Sequence, residues 1–583
     1  MTTRSEWVTA LQLEELPVGG AHLFSSGDHR VAVFRTAPDT AHAIDNRCPH
    51  EGYPLVRGLV KDCVVTCIWH NFKFDLRDGR CLLGDEHVRS YPLRIVDGRI
   101  ELDLADPAPE LELPRRLASL ERGLFEHKQG QIARDVVRLL QLGVTPDDIA
   151  VVAARFDADF AEYGTTHALP VAHDTLGMVD RYPGVAAVLP LLQALDLAAE
   201  SHRRRPRRPV PPAQDPGPDR EAAGERLHAA VEAEDAALAE GLLRGALARG
   251  WGRDTIEPWL YRLCCDHFLD FGHALIYQVH IFDLLARVGW QHAPALLPAF
   301  LFRIVMATRE EQVPEWKWLR ERLAAHAPRF PDLLPRNRDR PRDADAAAPF
   351  QAALIDGDRE AVIAALIAAL ERGAGLDNLG DALIVAGAER LLRFDPAIDA
   401  DPTVQEGWLD VTHRMTFACA VATALQRHPA PEALALLFHA AQFIHAARPL
   451  DLAPPRRPRP VDPDDASVPT IVAAIARHDG DAAYASTAMY LRADGAIDPL
   501  RVALEDATLR DPASRPIFVA HLIKTCVAAF AARARLVGHP DRDRPILAFV
   551  RYFANPARER PLARLAHEAV GFVVHGKVPR TLS

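Results

Sequence analysis

Lysine is nearly absent from this chain of 583 residues, where six lysines stand against 62 arginines. Acid still outweighs base, Asp+Glu 79 against Lys+Arg 68, for a net charge of -11. That balance argues against a general nucleic-acid binder, because a phosphate backbone demands a basic surface. Long apolar runs are also missing. No uninterrupted run reaches the roughly 18 residues of a membrane span, and the longest carry Glu432, His439 or Arg303. The opening Met1-Thr2-Thr3-Arg4-Ser5-Glu6-Trp7 has no apolar stretch of the secretory kind. The expectation is a cytoplasmic protein with neither membrane nor nucleic acid as partner. Cysteine is scarce too, eight in all, so a cysteine cluster reads first as a metal site rather than a disulfide framework.

What is present falls into two compositions. Residues 1–106 are rich in Val, Ile, Phe and Gly, in short alternating runs such as Arg30-Val31-Ala32-Val33-Phe34, with Asp78-Gly79 and Asp97-Gly98 between runs as hairpin signals. This predicts a small all-β domain. Residues 107–120 read as a linker. From 121 to 583 the chain is rich in Ala, Leu and Arg, with apolar spacings of three and four, the period of helices. The expected fold is thus multidomain, a small all-β domain followed by a large all-α domain with internal duplication.

The duplication shows as four blocks separated by Pro/Arg/Asp-rich stretches at 203–219, 328–349 and 453–469, which read as solvated loops. Each block has a Gly-containing turn with an acid: Gly143-Val144-Thr145-Pro146-Asp147, Gly252-Arg253-Asp254, Gly375-Leu376-Asp377 and Gly495-Ala496-Ile497-Asp498. A helix carrying a histidine follows each turn, with His167, His273, His413 and His521 in order. Blocks this long are not solenoid units, so an internally duplicated domain is the reading.

Two Cys-then-His pairs mark the β part: Cys48-Pro49-His50 and Cys67-Ile68-Trp69-His70, with 16 residues between His50 and Cys67. Two thiolates for one iron and two imidazoles for the other suit a [2Fe–2S] cluster of the Rieske arrangement. A Cys₂His₂ zinc site predicts a helix bearing both histidines, and none is present. At these residues the sequence resembles the Rieske ferredoxin family, over about the first 105 residues. The resemblance implies that Cys48 and Cys67 bind one iron and that His50 and His70 bind the other. Tyr53 and Trp69 stand where the respiratory-complex type has a disulfide, which points to the ferredoxin and oxygenase-associated type. Ile68 replaces that type's usual proline. Cys63 and Cys81 match no ligand position and are expected to be buried thiols.

Equivalent positions in four repeats converge if the repeats pack about an axis, and imidazoles meeting inside a helical bundle suit iron, copper or zinc. Asp270 and Asp410 each precede a histidine by three residues, so on a continuous helix they share its face and are placed to hold the ring N–H or to ligate directly. With Lys524 they are the catalytic candidates. A second reading has two metals on the Asp270/His273 and Asp410/His413 pairs. Lys524 lies one turn after His521 in an apolar stretch, and a buried lysine loses its proton readily. His280, seven residues after His273, shares that face. His173, six after His167, falls off it; His439 and His445 read as packing or loop residues, and Thr308-Arg309-Glu310-Glu311 as a solvated cap.

The helical region looks like the questin oxidase-like family at Leu269-Asp270-Phe271-Gly272-His273-Ala274-Leu275, His521-Leu522-Ile523-Lys524, Leu142-Gly143-Val144 and His167. Members oxidise aromatic polyketides, cleaving quinone rings in a Baeyer–Villiger-like or dioxygenase manner. The resemblance implies a mononuclear non-haem iron on His167, His273, His413 and His521, with Lys524 open to carboxylation. The expectation is an oxidoreductase fed by an NAD(P)H-dependent ferredoxin reductase. Its cluster passes electrons to the helical metal for O₂-dependent oxidation of a small organic substrate. The alternative is an electron-transfer ferredoxin on a helical interaction scaffold with no second metal.

Overall fold

Alternation of apolar and polar residues, broken by turn positions, builds the first part from three antiparallel sheets. The computed structural model describes residues 6–555 except 85, 203, 402–403, 405–406, 460–462, 464, 511 and 514, together with 566, 569–571 and 574–575. Arg203, part of the 453–469 stretch and most of the chain past 555 therefore lie outside the described residues. The strands are β1 (Trp7–Gln12), β2 (Ala21–Ser26), β3 (His29–Ala37), β4 (Thr40–Asp45), β5 (Leu59–Lys61), β6 (Val64–Thr66), β7 (Lys73–Asp75), β8 (Cys81–Leu83), β9 (Ser90–Tyr91), β10 (Leu93–Val96) and β11 (Arg99–Asp103). They pair in the orders β1-β11-β10, β2-β3-β4-β9 and β5-β6-β7-β8.

β3 is buried on both faces. Val31 and Val33 enter one apolar cluster with Ile100 and Leu102, while Ala32 and Phe34 enter another with Cys48, Cys67 and Phe74, the two-residue period of a strand. The hairpins close on left-handed pairs, Asp62 and Cys63 (φ 50° and 59°) and Asp97 and Gly98 (φ 48° and 76°), as a two-residue turn between twisted strands requires. Cys63 thus sits at a hairpin tip, half-buried, with Sγ 4.0 Å from His42 Nε2. Cys81 is half-buried as well. Neither is the fully buried thiol expected from sequence: Cys63 stands in a turn, and Cys81 packs at the edge of the cluster of Cys48, Cys67 and Phe74.

The stretch 107–120 is not a linker. It forms most of α1 (Pro109–Glu126), with Pro109 at its first turn and Glu110 and Glu112 near the positive end of its dipole. α1 packs on α2 (Gln129–Gln141), where Ser119 donates to buried Asp135 at 2.6 Å. The first compact unit runs through Thr145 and includes Gly184–Val188. Glu86, 1% exposed, fastens the helices to the strands by accepting from Arg134 and, at 2.5 Å, from Arg138.

Five-helix sets recur along the chain. The first set is α1, α2, α3 (Pro146–Phe160), α4 (Ala168–Leu176) and α5 (Val188–His202). The second is α6 (Arg220–Glu232), α7 (Ala236–Ala248), α8 (Arg253–Asp266), α9 (His273–Val288) and α10 (Ala293–Met306), followed by α11 (Lys317–His326) and α12 (Phe330–Asn337). The third is α13 (Ala344–Asp356), α14 (Arg359–Arg372), α15 (Leu376–Arg393), α16 (Trp408–Arg427) and α17 (Leu434–Ala446). The fourth is α18 (Val468–Ala476), α19 (Gly480–Arg492), α20 (Ile497–Thr508), α21 (Pro516–Arg535) and α22 (Arg544–Ala554). Each Gly/acid turn opens the third helix of its set, with Asp147, Asp254, Asp377 or Asp498 in the first turn. The fourth helix carries the histidine, or, for His167, begins just after it.

Two loop expectations also change. The 328–349 stretch contains α12, held by buried Phe330, Leu333 and Leu334 at helical spacing. In 203–219, Arg208 is drawn against Glu240, donating to both carboxylate oxygens at 2.8 and 2.7 Å. Among the described residues two helices, Gly184–His202 and Pro516–Arg535, are by length and hydropathy long and apolar enough to cross a membrane. Pro516–Arg535 is α21, 67% of whose apolar window is buried inside the protein; a core helix meets the same test.

Replacing Glu86 by Gln leaves two part-buried guanidiniums facing an amide. Unfolding of the first unit, followed in urea by hydrogen exchange of its strand amides, is expected at lower midpoint, with about 2 kcal/mol lost after discounting for the exposure of both arginines. An unchanged midpoint would remove Glu86 as the fastener.

Candidate metal centres

Two loops of one design carry the Cys-then-His pairs. Between β4 and β5, Cys48 N–H donates to Tyr53 O at 2.9 Å and Gly52 N–H to Cys48 O at 2.8 Å; between β6 and β7, Cys67 N–H donates to Phe72 O at 2.7 Å and Asn71 N–H to Cys67 O at 3.0 Å. Each loop closes five residues after its cysteine through a left-handed fourth residue, Gly52 (φ 77°) or Asn71 (φ 61°). The frames match, yet the histidine is the second residue after Cys48 and the third after Cys67.

The loops bring all four side chains together. Cys48 and Cys67 are free, buried thiols. His50 Nδ1 lies 3.2 Å from His70 Nδ1, and the rings keep 31% and 45% of their surface exposed. Burial, followed by the neighbouring Cys67, pushes the Cys48 thiol up to about 12 against the pull of backbone N–H groups. Such a thiol ionises when a metal takes the proton's place. Two sulfurs buried on one side and two imidazoles facing each other at the rim fit a [2Fe–2S] cluster. Tyr53 and Trp69, standing for the missing disulfide, touch with ring centroids 5.3 Å apart.

In the helical unit the four sequence-predicted histidines also meet. His167 Nε2 is 3.3 Å from His273 Nε2, and His413 Nε2 is 3.3 Å from His521 Nε2. Ring centroids are 4.4 Å apart for His273 and His413 and 4.7 Å for His167 and His521. Nitrogens about 2.0–2.1 Å from a common ion, at angles between octahedral and tetrahedral, lie about 3.0–3.4 Å apart. The spacing fits a metal.

Three rings are oriented from their far nitrogen. His273 Nδ1 donates to Asp270 O at 2.5 Å and His521 Nδ1 to Ile517 O at 2.7 Å. A carbonyl only accepts, so both Nδ1 atoms carry the hydrogen and both Nε2 atoms present a lone pair in the neutral ring. The Tyr277 hydroxyl lies 2.9 Å from His167 Nδ1. Burial lowers all four imidazoles; neighbouring histidines and Lys524 lower His167, His413 and His521 further, and Arg303 with Lys524 brings His273 to about 4. They are neutral, as a metal requires.

Lys524 is 4% exposed, and its Nζ has no hydrogen-bond partner among the described residues. Burial lowers it to about 7, with Arg303 pushing the same way and Asp174 opposing. Its charge acts on all four histidines.

Asp270 does not share the face of His273, whereas Asp410 keeps that of His413 within α16 but commits its carboxylate to the helix start. Asp270, Phe271 and Gly272 are all left-handed (φ 53°, 56° and 86°), so α9 begins only at His273. The Asp270 carboxylate turns away to Arg303, leaving its main-chain carbonyl for the ring. Gly272 has no substitute there, since a Cβ would come within 2.4 Å of the Phe417 ring. Asp410 lies in the first turn of α16, where its carboxylate accepts from Gly407 N–H at 2.9 Å. A helix that starts so close to the acid draws it to the unpaired N–H groups. A two-metal reading built on these Asp/His pairs loses its carboxylates.

Sequence alone missed Tyr277, Arg303 and Asp157. Asp157 is buried and accepts from Thr165 Oγ1, Thr166 N and Thr166 Oγ1 at 2.7–2.8 Å, which fixes the turn before His167. Tyr277 stands one turn after His273, the single hint available. Glu310 and Glu311 are buried rather than a solvated cap; Glu311 accepts from Phe268 N–H at 3.0 Å and lies 2.7 Å from His267 Nδ1. His439 is fully buried beside Phe268.

A model of the Rieske [2Fe-2S] domain matches residues 6–92. The anthranilate 1,2-dioxygenase ferredoxin subunit of Burkholderia cepacia is 34% identical over 104 residues, covering 18% of this chain and 95% of that protein. The 4beta-methylsterol monooxygenase of Methylococcus capsulatus is 36% identical over 89 residues, 13% of this chain and 24% of that protein; the match therefore spans about a quarter of that relative's length. Among solved structures, the ferredoxin of carbazole 1,9a-dioxygenase from Nocardioides aromaticivorans aligns at 27% identity over 17% of this chain and 98% of that one, with a TM-score of 0.16.

Between the ordinary histidine value of 6.5 and about 4 the folded chain binds fewer protons at these rings than the unfolded chain does. The metal-free protein is therefore expected to hold its stability above 6.5 and lose it as pH falls through that window. Calorimetry on chelator-treated protein checks this: a double variant, His413→Asn with His521→Asn, should show a shallower fall of Tm with acid. Equal slopes would contradict it.

Proposed function

The chain belongs to the Rieske [2Fe-2S] family through residues 6–92, and from that membership we propose a self-contained, O₂-dependent oxygenase working in the cytoplasm. The observation that carries the proposal is the convergence of imidazoles from four separate repeats: His167, His413 and His521 offer nitrogens within 4.8 Å of one another, and His273 joins through His167 at 3.3 Å. Cys48, Cys67, His50 and His70 would hold the cluster; His167, His273, His413 and His521 would hold one non-haem iron. When bound, the cluster supplies electrons singly and the iron supplies O₂ activation toward an organic substrate. Resemblance to the questin oxidase-like family favours an aromatic or quinone substrate, and oxygenase-system relatives favour an NAD(P)H-dependent ferredoxin reductase as the electron source.

The chain's own groups set the conditions for that chemistry. The Asp270 and Ile517 carbonyls and the Tyr277 hydroxyl fix the rings so that Nε2 faces the centre, and such outer contacts govern metal affinity. Burial of His413 and His521 keeps bulk water away. Lys524, close to half-deprotonated near neutral pH, holds or releases a proton at Nζ beside the rings, and its uncharged amine is the form that takes up CO₂ as a carbamate. Asp270 and Asp410 act through helix geometry rather than in the chemistry.

Iron and acid-labile sulfide counted on protein expressed anaerobically with iron test the reading. Iron is expected beyond the about two irons and two sulfides of the cluster. His413→Ala and His521→Ala should each lose one iron with sulfide unchanged, and reduced cluster in these variants should be reoxidised by O₂ more slowly. Iron equal to sulfide in the wild type, insensitive to either substitution, would leave a ferredoxin on a scaffold. Tyr277→Phe is expected to weaken metal binding at the helical centre about 10–100-fold while sparing the cluster spectrum.

A further inference from the structure

Two helical turns beyond the four histidines a second set of donors meets. His167 and His273 stand at the starts of α4 and α9, and Asp174 and His280 each follow by seven residues, about 10 Å along a helix. His280 Nε2 lies 3.3 Å from Asp174 Oδ1, the same separation that His273 keeps from His167. Equal offsets with equal contacts mean that the two helices run parallel and in register. His173 Nδ1 completes the set, 3.1 Å from the same Asp174 oxygen. The three donor atoms lie within 4.8 Å of one another.

This trio has the marks of a built site. The Asp174 side chain is 1% exposed, and its second oxygen, Oδ2, has no partner among the described residues. His280 Nδ1 donates to Ile276 O at 2.7 Å, the contact four residues back that His521 makes to Ile517. With Nδ1 committed to that carbonyl, the ring faces Asp174 with Nε2, whose proton an ion can replace. The two rings keep 30% and 21% of their surface exposed, which leaves a way in from solvent.

We propose that His173, Asp174 and His280 form a second divalent-cation site. Two imidazoles and a carboxylate with further positions open suit a first-row transition ion such as Fe²⁺, Mn²⁺ or Co²⁺, and the two nitrogens disfavour Mg²⁺ and Ca²⁺. The bound ion gives Asp174 Oδ2 the partner that imidazolium contacts to Oδ1 alone leave it without. The site does not require the four-histidine centre to hold iron.

Equilibrium dialysis of the full-length, cluster-loaded protein against Mn²⁺ or Co²⁺, with metal counted by mass spectrometry, tests this. The wild type should bind one ion that Asp174→Asn and His280→Gln each weaken at least 100-fold and that His413→Ala retains. Loss in Asp174→Asn with retention in His413→Ala supports the site even if the four-histidine centre proves empty, so the two readings fail separately. Binding of equal number and affinity in wild type, Asp174→Asn and His280→Gln overturns the proposal and leaves the trio as a buried ion pair. Should Asp174→Asn fold poorly by circular dichroism, His173→Gln on the more exposed ring carries the same comparison, and unchanged binding there overturns it equally.

Discussion

Imidazoles withdrawn from water repel one another once two of them carry protons, and their lone pairs repel when none does; the helical unit is organised around that conflict. His167, His273, His413 and His521 come from four repeats and reach one point only because burial keeps each neutral. With Nδ1 of His273 and of His521 tied to carbonyls, their lone pairs face the shared centre. Only protons shared between neighbours, or a cation, relieve that arrangement. The same dryness bears on Lys524, whose charge would add to the repulsion and whose proton is correspondingly loosely held. The turn clamped by Asp157 and the left-handed run ending at Gly272 hold the first two rings against this force.

The two centres meet solvent differently. In the first unit the thiols are buried and the imidazoles stand at the rim, so an electron donor can approach the histidine side. In the second unit His413 and His521 lie within the helices. The first set of donors is open to other molecules at its surface, and half of the second is closed to water.

Much of this was legible before any fold was known. Cysteine–histidine spacing located the first centre because both loops are local, each closing on itself within five residues of its cysteine. The four converging histidines were legible through repetition, since the Gly/acid turns mark the same helix start in each set. What failed was phase. The face shared by Asp270 with His273 assumed a helix running unbroken through both residues, whereas α9 starts at His273; Asp410 and His413 do share α16, but the acid lies in its first turn and is drawn to the Gly407 N–H. Residues such as Glu86, Asp157 and Glu311 escaped notice because a lone acid reads as surface. Its burial is decided by partners distant in sequence, such as Arg134 and Arg138 for Glu86. The 107–120 stretch misled through its prolines, which here open and tolerate a helix rather than end one.

The parallel register of α4 and α9 places a condition on how this chain can change in length. Adding one residue between His167 and Asp174, or between His273 and His280, turns everything beyond it by about 100° and advances it about 1.5 Å. The pairing at one end of the two helices would survive while that at the other pointed elsewhere. The helices behave as paired rulers, and gains or losses of sequence are tolerable only where no such measurement is made. Between α5 and α6, around α11 and α12, and between α17 and α18, the chain carries its proline- and arginine-rich stretches. An insertion there, away from α12 and from Arg208, leaves the phase of the donors on α4 and α9 unchanged.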